Sequence, residues 1–195
     1  MNPLSHLPRI TRIILIANVL VFALQFALPG LLESWLALWP LGVAFQPWQV
    51  LTYAFLHGGL MHLVLNMYGM VMFGADLERN WGPNRYLRFY LVSVLAAALT
   101  QLAVTAWLGQ ALPTVGASGG VFGLLLGYAV MFPDRRIVLL FPPIPMPAWV
   151  FALLFAAISL VLGVTGTQSG VAHFAHLGGM LGGLLLLRRW SGGRR

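Results

Sequence analysis

The residues in this chain able to do chemistry inside an apolar setting fall at three places. Ser118 stands among small residues in Gly116-Ala117-Ser118-Gly119-Gly120; His57, His62 and Asn66 lie upstream of it; His173 and His176 lie downstream. A serine flanked by glycine and alanine has an everyday use in packing. Small residues let helices in lipid approach closely, and the hydroxyl can hydrogen-bond across the contact. Its other use is nucleophilic attack, which needs a base, donors for the developing oxyanion and water. Taken alone, the pentapeptide fits packing better. The partners elsewhere in the chain decide between the two.

Three chemistries suit this set. A metal site would draw on His57, His62, His173 and His176. Against it, His57 and His62 are five positions apart rather than the four of a helical ligand pair, no carboxylate lies within reach, and there is no cysteine. A proton or ion pathway normally includes an intramembrane Asp or Glu, whereas Asp76, Glu78 and Asp134 all sit among arginines. The third chemistry is serine hydrolysis, with Ser118 as nucleophile and a histidine of the last apolar run as base. His62 and Asn66, four apart on one helix face, would then be oxyanion donors. The lack of a buried carboxylate makes this a dyad rather than a triad. On this reading no metal and no cofactor is needed.

These residues must be positioned by membrane helices. The 195 residues are 59% hydrophobic and 8% charged, with a mean hydropathy of +0.86, far more apolar than a soluble domain requires. Apolar runs cover about 13–28, 57–75, 86–107, 117–133, 148–164 and 171–187. The first resembles a signal-peptide core, but Pro29-Gly30 follows it rather than a small-residue cleavage pattern, so it reads as an uncleaved span. Between the first two runs, Pro29 to Phe55 carries Trp35, Trp39, Pro40 and Trp48, which fits a segment lying in the membrane interface. The expected fold is a single all-α polytopic membrane domain, 1–195, of six transmembrane helices.

Charge sets the orientation. All of the cationic side chains are arginines, 11 in number, giving a net charge of +7, and each flanks an apolar run. With six spans they all fall on one side together with both termini, leaving Glu33 as the single charge on the other. The positive-inside rule makes the arginine side, and both termini, cytoplasmic. The basic balance is therefore topology, and no nucleic-acid partner is implied. It also supplies a ruler. Ser118 lies seventeen positions before Arg135 and His62 seventeen before Arg79, each about 25 Å at 1.5 Å per helical residue. Asn66 comes to about 20 Å, His173 to about 22 Å and His176 to about 18 Å. Within a hydrocarbon core of about 30 Å, polar residues from three runs thus share one layer, and polar groups at that depth mark functional sites.

These residues resemble the rhomboid family of intramembrane serine proteases over nearly the whole chain. The resemblance rests on His57-Gly-Gly-Leu-Met-His62-Leu-Val-Leu-Asn66, on Gly116-Ala117-Ser118-Gly119, and on Ala175-His176-Leu177-Gly178-Gly179 followed by Gly183. Trp48, in Pro47-Trp48-Gln49-Val50-Leu51-Thr52-Tyr53, is similar to the family's first loop. It implies a bacterial-type six-helix bundle in the inner membrane, in which Ser118 attacks a peptide bond of another transmembrane protein and a sixth-span histidine is the base. His62, Asn66 and the Ser118 N–H would stabilise the oxyanion. Substrate would enter laterally past the fifth span and the loop Gly166 to Gly170. His57 would be accessory, and Ser93 and Gln101, taken as sharing one face of the third span, would hold catalytic water. A silent relative that binds membrane proteins and a small transporter are the competing classes.

Two departures from the family pattern stand out. Phe122 replaces a frequent Tyr, keeping a stack on the base but losing a hydroxyl, and Gln49 follows Trp48 where Arg is common. The choice of base rests on helix face. His176, Gly179 and Gly183 form one stripe, matched by Gly116, Gly120, Gly123 and Gly127 on the fourth span. Packing the two stripes together would carry His176 to Ser118. His173, three residues earlier, is then a loop-facing, water-contacting residue and only an alternative base.

Overall fold

Glycines and prolines punctuate the chain where the helices begin and end. The computed structural model describes residues 6–139, 142–166 and 172–192. Helix α1 spans Arg9–Ala27, and Gly30, with φ 76°, turns the chain into the short α2, Leu31–Leu36. Helix α3, Gln49–Thr52, continues as a 3₁₀ turn over Tyr53–Phe55. Helix α4, Leu60–Gly69, runs through a π-helical turn, Met70–Gly74, into α5, Ala75–Trp81. Gly82, with φ 79°, stops it, and Pro83 opens α6, Pro83–Leu108. Helix α7 is Ser118–Met131, α8 is Ala148–Thr165 and α9 is His173–Gly192. A small antiparallel hairpin, β1 (Arg136–Val138) with β2 (Pro145–Pro147), joins α7 to α8 and pairs Ile137 with Met146.

Four of the described helices are long and apolar enough to cross a membrane: α1, the continuous Leu60–Trp81, α6 and α8. The protein is an all-α, multi-pass integral membrane protein. Helix α7 is apolar but only 14 residues long, about 21 Å at the helical rise against a hydrocarbon core of about 30 Å. The expected element boundaries shift in consequence. The second run starts at Leu60, because Leu56 to Gly59 stay extended or bent, and His57 therefore precedes the helix. It continues past 75 to Trp81, the charged residues being as compatible with helix as the apolar ones. Helix α9 extends to Gly192 rather than 187; residue 171 and positions 167–170 of the expected loop lie outside the described residues. The segment 29–55, expected to lie in the membrane interface, holds α2, α3 and the 3₁₀ turn, and the proline-rich connection contains the hairpin.

Helix α9 lies against both α6 and α7, and glycine makes each contact possible. A Cβ on Gly179 would overlap the Gly119 carbonyl, and one on Gly123 would overlap Ser93 of α6 and lie 3.1 Å from the Gly179 oxygen. Gly178 and Gly182 instead face Thr100 and Ala96 of α6. On α7, Gly119 and Gly123 lie where all three helices meet, against Ala97 and Ser93 of α6 and the Ala175 and Gly179 carbonyls of α9, while Gly120 meets Tyr90 and Val94 of α6, and Gly127 meets Phe89 and Trp81. The single stripe expected from the sequence is thus two faces. Three mutually packed helices need small residues toward both neighbours, and spacing alone does not say which neighbour each serves.

At the arginine-rich end, Glu78 ties α1 to the bundle. It is buried, and its carboxylate accepts hydrogen bonds from Ile10 N (2.8 Å), Thr11 N (2.7 Å) and Thr11 Oγ1 (2.8 Å). Those backbone groups belong to the first turn of α1, whose donors have no partner within the helix and whose dipole favours an anion. Two stability predictions follow from these contacts. Glu78→Gln swaps one acceptor oxygen for a donor facing donors. It should cost about 2 kcal/mol, in the range for hydrogen bonds to a charged group, read as a lower Tm in detergent; a variant melting with the wild type would show that Glu78 does not secure α1. Gly179→Ala should force α7 and α9 apart and lower Tm by more than Gly192→Ala, whose Cβ meets nothing within 4 Å. Equal melting of the two variants would remove the close-approach argument.

Candidate active site

Ser118 is the first residue of α7, and its position is set by the segment leading into it. Leu38 and Thr114 exchange backbone hydrogen bonds, each 2.9 Å, which fastens that segment to the chain between α2 and α3. Gly116 takes φ 127°, a conformation that side chains rarely adopt, and donates its N–H to Tyr53 O at 3.0 Å. Tyr53 is held in turn by its hydroxyl on Val94 O, 2.9 Å away. The N-terminal N–H groups of α7 find no partner within the helix, and no side chain caps them. Ser118 therefore sits where unpaired backbone donors and the positive end of a helix dipole meet.

His176, one turn into α9, brings its Nε2 to 2.8 Å from Ser118 Oγ. Phe122, one turn after Ser118, stacks on the imidazole with centroids 4.1 Å apart and planes 11° from parallel. The Phe122 ring is itself met edge-on by Phe155 of α8. One turn and one aromatic face thus fix the orientation of His176.

His62 approaches from α4. Its Nδ1 accepts from Gly58 N at 3.3 Å, so the neutral ring carries its proton on Nε2. That edge lies over Gly116, where a Cβ would come within 2.8 Å of Nε2 and Cε1. Asn66 donates from Nδ2 to His62 O at 2.8 Å, keeping the second amide hydrogen free for another acceptor. His62, Asn66, Ser118, Phe122 and His176 all line one cavity of about 1160 Å³, walled on one side by Phe151, Phe155 and Leu162 of α8. Among the described residues no Asp or Glu lines it, and no three His, Cys, Asp or Glu side chains are gathered into a set that could hold a metal.

The other sequence-selected residues divide. His57 does not line the cavity; its ring meets His62 edge-on at 5.1 Å, and its backbone exchanges hydrogen bonds with Gln25 (2.9 and 3.2 Å). Gln101 does line it, with a buried Oε1 that has no partner among the described residues. His173 lines it too, its ring 6.0 Å from that of His176 and at 89° to it. It is buried; the expected loop beside it, from 167 on, lies outside the described residues. Ser93 is a correction. It is fully buried, donates to Phe89 O at 3.0 Å and packs against Gly123 and Gly183, away from the cavity. Eight residues turn a helix by about 80° beyond two full circles, so Ser93 and Gln101 do not share a face.

Gln49 settles what replaces the usual basic residue after Trp48. It is fully buried; Oε1 accepts from Trp39 N (3.2 Å) and Gln46 N (3.1 Å), and Nε2 donates to Trp35 O and Ala44 O. A neutral side chain with four satisfied bonds thus folds the interfacial segment that carries Leu38. Sequence reasoning missed this, and also Tyr53 and the Leu38–Thr114 bridge, because a lone Gln or Tyr in an aromatic stretch has no spacing to give it away. The positive φ of Gly116 was signalled only by the glycine itself.

The chain matches the Rhomboid domain family over residues 44–191. It is 35% identical over 141 residues to RHOMBOID-like protein 4 of Arabidopsis thaliana, covering 72% of this chain and 33% of that protein. It is 34% identical over 137 residues to Rhomboid protein 1, mitochondrial, of Saccharomyces cerevisiae, covering 68% and 38%. With Rhomboid-like protease 5 of Toxoplasma gondii it shares 36% over 139 residues, covering 67% of this chain and 15% of that protein. The matched stretch is well under half the length of each of these relatives. Every residue lining the cavity falls inside the family's matched region, and the chain belongs to the rhomboid family.

Proposed function

We propose that this protein is an intramembrane serine endopeptidase, cleaving transmembrane segments of other membrane proteins with a Ser118–His176 dyad. The observation that carries the reading is the 2.8 Å contact between His176 Nε2 and Ser118 Oγ, a distance at which a base takes the hydroxyl proton. Ser118 Oγ forms a bond to the scissile carbonyl carbon as its proton passes to His176 Nε2. The carbonyl oxygen becomes an oxyanion, met by the Ser118 N–H, the Nε2–H of His62 and the remaining amide hydrogen of Asn66. Collapse breaks the C–N bond, and His176 gives its proton to the departing amine. Water then repeats the sequence on the acyl-enzyme, restoring Ser118.

The setting supports this chemistry. Helix α7 is too short to reach across the bilayer, so Ser118 sits below one membrane surface at the floor of a cavity roomy enough for both water and an unwound peptide. The α8 wall of that cavity is apolar, as a route for a substrate arriving from lipid must be, and transmembrane protein substrates are the partners this implies. In the proposed topology the chain passes through the membrane six times with both termini in the cytoplasm, the short α7 making up only the cytoplasmic part of its passage, and the site opens toward the opposite face of a bacterial plasma membrane.

The first test is covalent. In detergent, wild-type protein should be labelled by a serine-directed fluorophosphonate and should cleave a single-span substrate. Ser118→Ala and His176→Ala should do neither while keeping the wild-type Tm. Losing a nucleophile or its base normally costs orders of magnitude, so a tenth of wild-type activity in either variant would exclude that residue. A second test addresses the oxyanion donors. His62→Ala and Asn66→Ala should each lower kcat by about 10²–10³, the usual effect of removing one donor, without abolishing it, since a backbone N–H remains. Wild-type kcat/KM in both would place the oxyanion site elsewhere.

A further inference from the structure

We propose that His173 is the positioning residue for the base, taking through one water molecule the place that a carboxylate has in a Ser-His-Asp triad. The inference rests on the serine-protease reading above and extends it to the far side of His176. For Nε2 to accept the Ser118 proton, the neutral imidazole must carry its own proton on Nδ1. That Nδ1 is buried and has no hydrogen-bond partner among the described residues. An N–H left in this condition at the centre of a site is costly, and the cost grows as the ring becomes an imidazolium during attack.

His173 presents the complementary atom. Its Nε2 is likewise buried and without a partner among the described residues. Both side chains are more than nine-tenths buried, at 7% and 8% exposure. They lie one turn apart on α9 and line the same cavity. The rings are perpendicular with centroids 6.0 Å apart, a separation at which one water can join two polar atoms that do not touch. The chain of bonds then runs from Ser118 Oγ–H to His176 Nε2, and from His176 Nδ1–H through water to His173 Nε2. It holds His176 in one tautomer and orientation, and it stabilises the imidazolium without any buried carboxylate.

Other groups near His176 leave the role open. Phe122 covers one ring face; His62 is bonded through Nδ1 to Gly58, across the site; and the Thr100 side chain packs against Gly178 on the opposite face of α9. Gln101, whose Oε1 also lacks a partner among the described residues, lines the same cavity from α6, whereas His173 lies on α9 itself, one turn from the base.

The test compares His173→Phe, which keeps a flat ring and loses the acceptor, with His173→Gln, which puts an amide oxygen near the place of Nε2. The readouts are kcat and KM on a single-span substrate, the rate of fluorophosphonate labelling, and Tm. His173→Phe should lower kcat and the labelling rate about tenfold, the effect of one hydrogen bond, with KM and Tm unchanged. His173→Gln should recover most of both rates. If Phe lowers Tm, His173→Leu replaces it and the recovery by Gln is read against Leu. Wild-type rates in the acceptor-free variant, or equal impairment in the Gln variant, would overturn the positioning role. A wild-type protein that does not label at Ser118 would instead overturn the protease reading itself.

Discussion

The contact on which the site depends is the meeting of two backbones, α7 at Gly119 and α9 at Gly179. No side chain fits between them; even a single Cβ on Gly179 would overlap the Gly119 carbonyl. Ser118 precedes the first of these glycines and His176 lies one turn before the second, so the closeness of the helices is passed directly to the reacting atoms. In lipid there is little hydrophobic drive for helices to associate. Close packing of small residues has to supply it, and here the same contact that joins the helices brings together Ser118 and His176, the nucleophile and base of the proposed reaction.

Placing a hydrolytic site within a bilayer also requires backbone donors and water at a depth where both are scarce. On the proposed reading the short α7 meets both needs: starting part-way down, it leaves its N-terminal N–H groups unpaired inside the protein rather than at its surface, after a stretch of non-helical chain. Irregular backbone at membrane depth is tolerated only where protein or a cavity covers it. The covering here comes from the interfacial segment: Gln49 satisfies four backbone groups of that segment, the Leu38–Thr114 bridge ties it to the chain before Ser118, and Tyr53 takes up the Gly116 N–H. That segment thereby anchors the chain that leads into Ser118.

Much of this was legible from residue types alone, for identifiable reasons. Apolar runs and arginine placement revealed the helices, because the cost of burying charge leaves few other arrangements. That Ser118, His62, Asn66 and the late histidines would come to one cavity was legible because helical rise is constant. Register around the helix was less so. Ser93 was put on the cavity by a count of eight residues that overshoots two turns by about 80°, and the α7 glycines were given one neighbour when they serve two. Contacts that depend on a single uncharged side chain, Gln49 above all, carry no pattern in one sequence.

Buried polar side chains differ in what they do for the fold. Glu78 and Gln49 are buried with each polar side-chain atom bonded to backbone, and each secures one segment against another. Nine buried side-chain atoms have no partner among the described residues; those on Asn18, Glu33, His57, Tyr86 and Tyr90 lie off the cavity, while Gln101, His173 and His176 line it. Unpaired groups destabilise a fold, so burial without a partner does not by itself mark the site. On the proposed reading, the 2.8 Å contact of His176 with Ser118 gives the three on the cavity their use, in receiving water and a substrate carbonyl.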